Sequence, residues 1–390
     1  MKIGVDASCW LNRRGYGRFA RELLKAMILA SENHEYVFFI DSASRPACAF
    51  PDGVRIITVP VSRAATQAAS SASRRSLRDM YNMGRAISNE PLDVLFFPSI
   101  YTYFPVFSPV KKIVAIHDVI PEMYPDLVFP NRRAKLFWGM KRWAALRQTD
   151  LVLTVSNYSK QGILKHLNVE ADKIFVTCEA ADPCFYRKSS NAELQRLKNK
   201  YGLSEADRYF LYVGGIGLHK NLKTLLTAFK MLKQRLNAPE QKLVIVGDIE
   251  HDAFWMDPDI QQQARADSSV NGIFFPGYIA DDHLAELYSG AEALVLPSFS
   301  EGFGLPAVEA MARGTAVIGS ETTSLPEVVA DAGLFFNPHR PEQLAACMEK
   351  VWTDPALKAK LGTAGLKRAS SYSWEKAADL VLTTMQNLAS

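Results

Sequence analysis

The stretch "EALVLPSFSEGFGLPAVEAMARGTAVIGS", residues 292–320, has the pattern of a strand, a loop, a helix and a second strand. Its two strand-like runs, "ALVL" and "TAVIGS", are nearly free of polar residues, as expected of parallel strands that are covered on both faces. Pro306 suits the first turn of the helix between them. Such βαβ units build doubly wound α/β sheets, so this stretch predicts that fold class.

The same alternation of strand and helix patterns recurs along the whole chain, because short β-rich runs are each followed by a helical stretch. A polar stretch without a strand, residues 181–208, separates a first series of runs from a second. We predict strands over residues 2–7, 36–41, 54–60, 93–99, 112–118, 151–156 and 173–180, and then over 209–215, 242–247, 272–278, 292–298, 315–320 and 333–338. No short repeat is present, so the two series predict two similar sheets rather than a solenoid.

Length and composition agree with two globular domains. The chain has 390 residues, of which 48% are hydrophobic and 22% are charged, and this length exceeds what one ordinary core accommodates. The net charge of +4 is unevenly distributed, because residues 1–180 carry a net charge of +8 and the remainder −4. A basic first half indicates an anionic partner, either phosphate or a lipid surface, and an ordinary solvated basic surface is the alternative.

Cysteine usage and the N-terminal sequence indicate the compartment. The 5 cysteines are scattered and form neither a CxxC pair nor a zinc-binding spacing, which favours a reducing environment. The N-terminus "MKIGVDASCW" leads directly into a strand and lacks the apolar core of a signal peptide. No apolar run approaches the roughly 18–20 residues that span a bilayer. We therefore expect a cytoplasmic protein.

Two acids flank the glycine-rich turn of the opening stretch. Glu301 lies in the loop and Glu309 in or just after the first helical turn. The amides of Phe303, Gly304 and Leu305 lie where a helix N-terminus leaves donors unpaired, and such a terminus binds anions. A carboxylate beside a phosphate suits ribose hydroxyls. The alternative is that Glu309 only complements the helix dipole and Glu301 is solvated.

The junction "YVGGIGLHKN" is a second candidate for phosphate binding. Gly215 follows a strand and would let a ligand approach the backbone, and Lys220 could neutralise a diphosphate. The spacing of a P-loop is absent. Taken alone, Lys220 would be an ordinary surface lysine.

The N-terminal "GYGRFARELL" permits a rival interpretation. Gly15 and Gly17 open a long amphipathic helix in the manner of a dinucleotide fingerprint, which would indicate an NAD-dependent oxidoreductase. A loop of eight residues, Ala7–Arg14, separates them from their strand, whereas the fingerprint follows its strand directly.

One histidine and one acid pair remain as candidates. His117 follows the strand of "KIVAIHD" and is a better candidate for chemistry than an average histidine, although most lone histidines are structural. Asp257 and Asp259 form a D-x-D pattern in a polar loop rather than at a strand end. Without further acid or His/Cys clusters, no metal site is expected.

Together these residues resemble the retaining glycosyltransferases of the GT-B fold, in particular family 4. The most specific element is the E-x7-E pattern of Glu301 and Glu309 around "GFGLP". The stretches "GYGRFARELL", "HDVIPEMYP", "VSNYS", "YVGGIGLHKN", "FPGYIADDHLAELYSGAEALVLPS" and "YSWEKAA" follow in family order. The resemblance covers nearly the whole chain.

The resemblance implies two Rossmann-like domains with a cleft between them. The acceptor-side domain would comprise residues 1–182 and a C-terminal helix, residues 369–390, that returns to it. The donor-binding domain would comprise residues 183–368. The donor would be a nucleoside-diphosphate sugar, with a UDP-sugar favoured over a GDP-sugar, and neither a metal nor another cofactor is expected.

The resemblance also implies a role for each candidate residue of the donor domain. Glu309 would bind the ribose hydroxyls and Glu301 the donor sugar, while the amides of Phe303, Gly304 and Leu305 would hold sugar hydroxyls and phosphate. These roles describe one bound nucleotide sugar.

The remaining implied roles concern the diphosphate, the base and the transferred sugar. Lys220 would grip the diphosphate beside Gly215, and the main chain at Tyr278 and Ile279 would contact the base. In the first domain, Gly15 and Gly17 would approach the diphosphate. His117 would lie beside the transferred sugar, so that His117, Glu301 and Lys220 form the implied catalytic set.

Two positions depart from the family pattern. Many relatives carry arginine at the position of Gly215, and an Asn-Gly pair is usual where this chain has Glu179-Ala180. The first departure removes one positive charge from the expected diphosphate site.

The expected acceptor is a glycan or a lipid-linked glycan, and no nucleic-acid partner is expected. Residues 100–107 contribute the aromatic residues Tyr101, Tyr103, Phe104 and Phe107, and residues 131–147 predict a basic amphipathic helix that could rest on the inner face of a membrane. The alternative is a helix packed on the core with solvated basic side chains. A GT-B sugar-nucleotide epimerase and a non-catalytic nucleotide-binding protein remain as alternative functions.

Overall fold

The computed structural model describes residues 1–30, 33–62, 76–187, 190–247, 260, 262 and 271–390. The chain divides into two compact units. Unit 1 comprises Met1–Glu179 and Ser373–Ser390, and unit 2 comprises Ala180–Tyr372. The sequence-based boundaries at 182/183 and 368/369 therefore lie three and four residues from the observed divisions.

Unit 1 contains a seven-stranded parallel sheet in the order β3-β2-β1-β4-β5-β6-β7. Its strands are β1 (Lys2–Asp6), β2 (Glu35–Asp41), β3 (Val54–Val59), β4 (Val94–Phe97), β5 (Lys111–Ala115), β6 (Leu151–Thr154) and β7 (Ile174–Val176). The central strands are almost entirely apolar and buried, because helices cover both faces of such sheets. The strand order reverses direction between β1 and β4.

The described α-helices of unit 1 follow β1, β3, β5 and β6 in sequence, and three of them lie between β5 and β6. They are α1 (Gly15–Ala30), α2 (Leu77–Ser88), α3 (Ile120–Met123), α4 (Pro125–Val128), α5 (Arg132–Gln148) and α6 (Asn157–Leu167). The C-terminal helix, Trp374–Ala389, also lies in unit 1 and packs against α1. The ring centroids of Phe19 on α1 and Trp374 are 6.1 Å apart. Both helices bury an apolar face along this contact.

Unit 2 contains a six-stranded parallel sheet in the order β10-β9-β8-β11-β12-β13. Its strands are β8 (Arg208–Val213), β9 (Gln241–Val246), β10 (Ile273–Gly277), β11 (Leu294–Leu296), β12 (Val317–Ser320) and β13 (Gly333–Phe336). Its described helices are α7 (Asn191–Lys200), α8 (Leu222–Leu236), α9 (Asp281–Gly290), α10 (Leu305–Ala312), α11 (Leu325–Val329), α12 (Pro341–Thr353) and α13 (Pro355–Ala369). The strand order reverses direction between β8 and β11.

The predicted fold class is confirmed. All thirteen predicted strands are present, every described strand pair is parallel, and each unit is doubly wound. In such sheets, ligands bind at the carboxyl ends of the strands, where the strand order reverses. Among the described helices, none combines the length and the apolar character that crossing a bilayer requires.

Candidate functional site in unit 2

The candidate site of unit 2 lies where the strand order reverses. β8 and β11 are neighbours in the sheet, and the loops that follow them carry Lys220 and Glu301. Lys220 ends a short 3₁₀ helix, Leu218–Lys220, before α8. Glu301 precedes α10 by four residues. The fold therefore brings together two candidates that are 81 positions apart in sequence.

Lys220 and Glu301 form a bidentate ion pair. The Lys220 Nζ donates to both carboxylate oxygens of Glu301, at 2.8 and 2.9 Å. Their side chains are only 19% and 13% exposed. The Ser298 hydroxyl donates to Glu301 Oε1 at 2.6 Å. The suggestions that Lys220 is an ordinary surface lysine and that Glu301 is solvated are therefore wrong, because each side chain is the other's partner.

This pair controls the ionisation of Glu301. Burial opposes the charged form, but the Lys220 ammonium and the Ser298 hydroxyl outweigh it and hold the pKa of Glu301 below the ordinary value. Glu301 is thus a carboxylate at neutral pH.

Asn221 fixes the loop that carries Lys220. It has a positive φ of 56°, which asparagine tolerates better than most residues. Its side-chain amide donates to the carbonyl oxygens of Pro297 and Pro338, at 3.0 and 2.8 Å. The loops after β8, β11 and β13 are therefore joined by one buried side chain, which the sequence analysis did not identify.

The N-terminus of α10 requires glycine at position 304. Gly304 is the N-cap residue with a φ of +91°, and a Cβ atom there would lie 2.5 Å from Leu325 Cδ2. Leu305 and Phe303 are buried, and the Phe303 ring packs edge-on against Tyr372 with centroids 5.5 Å apart. The side chains of Phe303 and Leu305 thus pack in the interior of unit 2, and the role expected for the three amides stays a prediction.

Glu309 lies one turn further along α10 and is 3% exposed. The Tyr288 hydroxyl, from the end of α9, donates to Glu309 Oε2 at 2.9 Å. Burial of a carboxylate is costly unless hydrogen bonds compensate, so Tyr288 helps to hold this side chain in place. The sequence gives no local indication of this partner, because Tyr288 lies 21 positions earlier in another helix.

The other predicted donor-site residues lie in neighbouring loops of unit 2. Gly215 follows β8, and its carbonyl oxygen accepts a hydrogen bond from the Tyr212 hydroxyl. Tyr278 and Ile279 connect β10 to α9, with the ring of Tyr278 exposed and Ile279 buried. All three follow carboxyl ends of strands, where a ligand would bind.

Candidate functional residues in unit 1

Gly15 and Gly17 open α1, as predicted. Gly15 has open space around it, whereas a Cβ atom at Gly17 would lie 2.1 Å from the carbonyl oxygen of Asn12. The packing of the loop before α1 thus accounts for glycine at position 17. The eight-residue loop Ala7–Arg14 separates β1 from α1, with a 3₁₀ turn in it, so the geometry differs from a dinucleotide-binding turn.

His117 lies two residues after β5 and is 9% exposed. Its Nε2 is 2.9 Å from the carbonyl oxygen of Pro98, which follows β4. Its Nδ1 is 3.6 Å from Glu179 Oε1. The Ser159 hydroxyl donates to the His117 carbonyl oxygen at 2.7 Å. Hydrogen bonds therefore hold the Nε2 end of the ring and the main chain of His117, whereas Nδ1 has no hydrogen-bond partner among the described residues.

Metal-binding clusters are lacking in the part of the chain that the structure describes, where no group of three His, Cys, Asp or Glu side chains could hold an ion. Asp257 and Asp259 lie outside the described residues. None of the 5 cysteines, all of which lie in the described ranges, forms a disulfide. Burial raises the pKa of Cys178 and Cys347 above the ordinary value, which disfavours the reactive thiolate form.

Two family models match the chain in succession. The model named Glycosyltransferase Family 4 matches residues 13–183. The model named Glycosyl transferases group 1 matches residues 194–368. The two matches fall almost entirely within unit 1 and unit 2 respectively.

Curated relatives include bacterial mannosyltransferases. The O-antigen chain mannosyltransferase B of Escherichia coli is 36% identical over 267 residues, which are 68% of this chain and 67% of that protein. The serotype-specific mannosyltransferase WbdA of Escherichia coli is 29% identical over 275 residues, which are 70% of this chain. The matched region is 33% of WbdA, so the chain spans about a third of that relative.

A similar solved structure is that of HepE from Anabaena in complex with UDP-glucose. It superposes with a TM-score of 0.74 at 16% sequence identity, and the alignment covers 99% of this chain and 100% of that chain. At this identity the likeness concerns the fold.

Proposed function

The chain belongs to the family 4 glycosyltransferases of the GT-B fold, and from this premise we propose that it is a retaining hexosyltransferase that uses a nucleoside-diphosphate sugar. The observation that carries the proposal is the arrangement in unit 2, where the Lys220–Glu301 pair adjoins the N-terminus of α10 and Glu309 is buried within that helix. A cation and a helix N-terminus can bind a diphosphate, and carboxylates can accept hydrogen bonds from sugar and ribose hydroxyls.

The proposed roles follow from charge. The N-terminal amides of α10 and the Lys220 ammonium would stabilise the negative charge of the departing diphosphate. Glu301 would accept hydrogen bonds from the donor sugar and tolerate its developing positive charge. Glu309 would accept the ribose hydroxyls, and the main chain at Tyr278 would contact the base.

The proposed reaction keeps the configuration of the sugar. The bond between the sugar C1 and the phosphate oxygen breaks, and its electron pair stays on the diphosphate. The acceptor hydroxyl attacks C1 from the same face, and its proton passes to the departing phosphate oxygen. No metal enters this scheme, because Lys220 and the helix amides supply the positive charge.

The relatives favour a particular sugar. The curated relatives named above are mannosyltransferases, so mannose is the first hexose to test. The base stays open between the UDP-sugar that we favour from the sequence and a GDP-sugar. The HepE structure holds UDP-glucose, which supports testing both donors side by side.

The first test is calorimetric titration of UDP, GDP, ADP and NAD into the protein without metal. We expect one nucleoside diphosphate to bind at micromolar concentration and Glu309→Ala to abolish that binding. The control is Glu205→Ala, at an exposed glutamate in the loop before β8. Binding of NAD alone would refute the proposal and favour the oxidoreductase interpretation.

The second test separates transfer from the alternatives. A transferase releases nucleoside diphosphate from GDP-mannose or UDP-glucose in proportion to the acceptor glycan supplied. An epimerase would convert the donor sugar without acceptor, and a non-catalytic binding protein would leave it unchanged. Retention of the anomeric configuration in the product, measured by NMR, tests the proposed stereochemistry.

On the acceptor side, we propose that helix α5 rests on anionic lipid, with the protein at the inner face of the membrane. The helix contains six basic residues and no acidic one. Leu136, Met140 and Trp143 lie on one exposed face and are 63%, 49% and 66% exposed. Exposed Arg132 and Arg147 lie at its two ends. An apolar stripe bordered by cations suits an anionic lipid surface and a lipid-linked glycan.

Vesicle sedimentation tests this surface. We expect the protein to bind vesicles that contain phosphatidylglycerol and not pure phosphatidylcholine, and Leu136→Ser/Trp143→Ser to lose that binding. Leu29→Ser in α1 is the matched control, because Leu29 is also an exposed leucine of unit 1. Equal binding by all variants, or dimerisation through α5 in solution, would refute membrane contact.

A further inference from the structure

Lys220 and Glu301 neutralise each other within unit 2. The two hydrogen bonds between the Lys220 Nζ and the carboxylate oxygens of Glu301, at 2.8 and 2.9 Å, hold the ammonium group against this acid. Within the described part of the chain, Lys220 Nζ has no other ion-pair or hydrogen-bond partner. Because the side chains are 19% and 13% exposed, salt and water screen the pair only weakly. The lysine proposed for diphosphate binding is therefore already occupied by an acid of the same site.

The main chain that carries the pair is held from two sides. The Phe299 amide donates to the His219 carbonyl oxygen at 2.9 Å, which joins the loop after β11 to the loop after β8. The Asn221 side chain adds its two hydrogen bonds to main-chain carbonyl oxygens. Lys220 can therefore leave Glu301 by rotation of its flexible stem, whereas a displacement of the loops would break these bonds.

A bare diphosphate pays a penalty for taking Lys220. The Glu301 carboxylate would keep only the Ser298 hydroxyl, at 2.6 Å, among its described hydrogen-bond partners. A largely buried carboxylate that loses its counter-ion is costly. Glu301 therefore opposes the binding of any diphosphate that brings nothing to replace the ammonium group.

A donor sugar brings that replacement. Its hydroxyl groups can donate to the carboxylate oxygens that Lys220 has left, and hydrogen bonds to a charged acceptor are stronger than those between neutral groups. A nucleoside diphosphate without a sugar has no hydroxyl groups at this position. The same carboxylate thus penalises the product of transfer more than it penalises the substrate.

We propose that Glu301 is a specificity-determining residue that competes with the diphosphate for Lys220, so that the site prefers a nucleotide sugar to the nucleoside diphosphate left after transfer. This inference rests on the proposed function, in which Lys220 binds the diphosphate and Glu301 the sugar. When the sugar departs with the acceptor, Glu301 loses its hydroxyl partners and recovers Lys220. Restoration of the ion pair thereby favours release of the product.

Calorimetric titration of GDP, GDP-mannose, UDP and UDP-glucose into the intact protein tests this preference. We expect Glu301→Gln to bind the nucleoside diphosphate at least about fivefold more tightly than wild type and the nucleotide sugar no more tightly. A purely structural role of the pair would instead weaken both ligands alike. Glu321→Gln, at an exposed glutamate that follows β12, is the matched control and should leave both affinities unchanged.

A second variant and a second background make the test specific. Glu301→Ala, which places no amide beside Lys220, should shift the preference in the same direction. In a Lys220→Met background, the gain from Glu301→Gln should fall below about twofold, because no lysine is left to compete for. Nucleoside diphosphate binding that is unchanged or weaker in both folded Glu301 variants would refute the inference. An equal gain with and without Lys220 would refute competition for the lysine.

The titrations separate failure of this inference from failure of the proposed function. If none of the four ligands binds the wild-type protein, both fail. If a nucleotide and its sugar conjugate bind and the Glu301 variants leave their relative affinities unchanged, this inference alone fails.

Discussion

Replacing Lys220 by methionine removes the cation of the Lys220–Glu301 pair and retains most of the apolar stem. Both side chains are less than one-fifth exposed, and two hydrogen bonds of 2.8 and 2.9 Å join them. Loss of one partner from a fully buried pair costs about 3–5 kcal/mol. Because some exposure and the Ser298 donor remain, we expect Lys220→Met to lower the free energy of unfolding by about 2–3 kcal/mol, below or at the low end of that range.

The loss should be visible as a shift in melting temperature that depends on pH. For a domain of this size, 1 kcal/mol corresponds to about 2–4 °C, so we expect a decrease of about 4–12 °C at pH 7. In the folded wild-type chain, the pKa of Glu301 lies below its ordinary value of 4.5. The pair therefore contributes stability that is present above about pH 4.5 and is lost as the pH falls through the lower folded pKa.

The variant should respond to acid in the opposite sense. Without Lys220, burial raises the pKa of Glu301, so the carboxylate takes up a proton under mildly acidic conditions. The deficit of Lys220→Met relative to wild type should then be largest near pH 7–8 and smaller near pH 5.

Calorimetric unfolding of wild type, Lys220→Met, Glu301→Gln and the double variant at several pH values is the assay. Lys223→Met, at an exposed position of α8, is the matched control and should change little. We expect the double variant to lose less than the sum of the single losses, by at least about 1 kcal/mol. Additive losses, or a deficit that is equal at pH 5 and pH 8, would refute the argument that the pair is coupled.

Three further substitutions test other parts of the structure. Tyr288→Phe removes the hydrogen bond to Glu309, and a hydrogen bond to a charged group contributes about 1.5–3 kcal/mol. Calorimetric titration should therefore show nucleotide affinity weakened at least tenfold. Tyr209→Phe, at another buried tyrosine of unit 2, is the control and should leave the nucleotide affinity unchanged. Gly304→Ala should lower the free energy of unfolding by at least about 1–2 kcal/mol in urea titration, since its φ is +91°. Gly17→Ala should lower the melting temperature of unit 1 because the new methyl group would lie 2.1 Å from a backbone carbonyl, and an unchanged melting curve would contradict this.

Much of the fold could be predicted from local pattern. Buried parallel strands are apolar on both faces, so runs such as "LVLTVS" identify themselves without knowledge of their neighbours. The junctions after β8 and β11 were identifiable for a similar reason, since ligand sites of such sheets lie at strand carboxyl ends. The roles assigned to the individual site residues remain predictions.

The partners of the site residues could not be predicted, because they depend on contacts between distant segments. The sequence around Glu301 does not identify its ion-pair partner, because that partner, Lys220, lies 81 positions earlier. Tyr288 and Glu309 lie on different helices. Glu179 looked like the loss of a family feature, and only the strand order of unit 1 brings it beside His117.

The two-segment composition of unit 1 has a consequence for synthesis of the chain. A ribosome releases the segment up to Glu179 first, then all of unit 2, and only afterwards the helix Trp374–Ala389. Until that helix emerges, the apolar face of α1 that it covers has no partner in the nascent chain. Unit 2 is continuous in sequence and can complete its fold earlier. Unit 1 should therefore reach its complete fold only after the helix Trp374–Ala389 has been released.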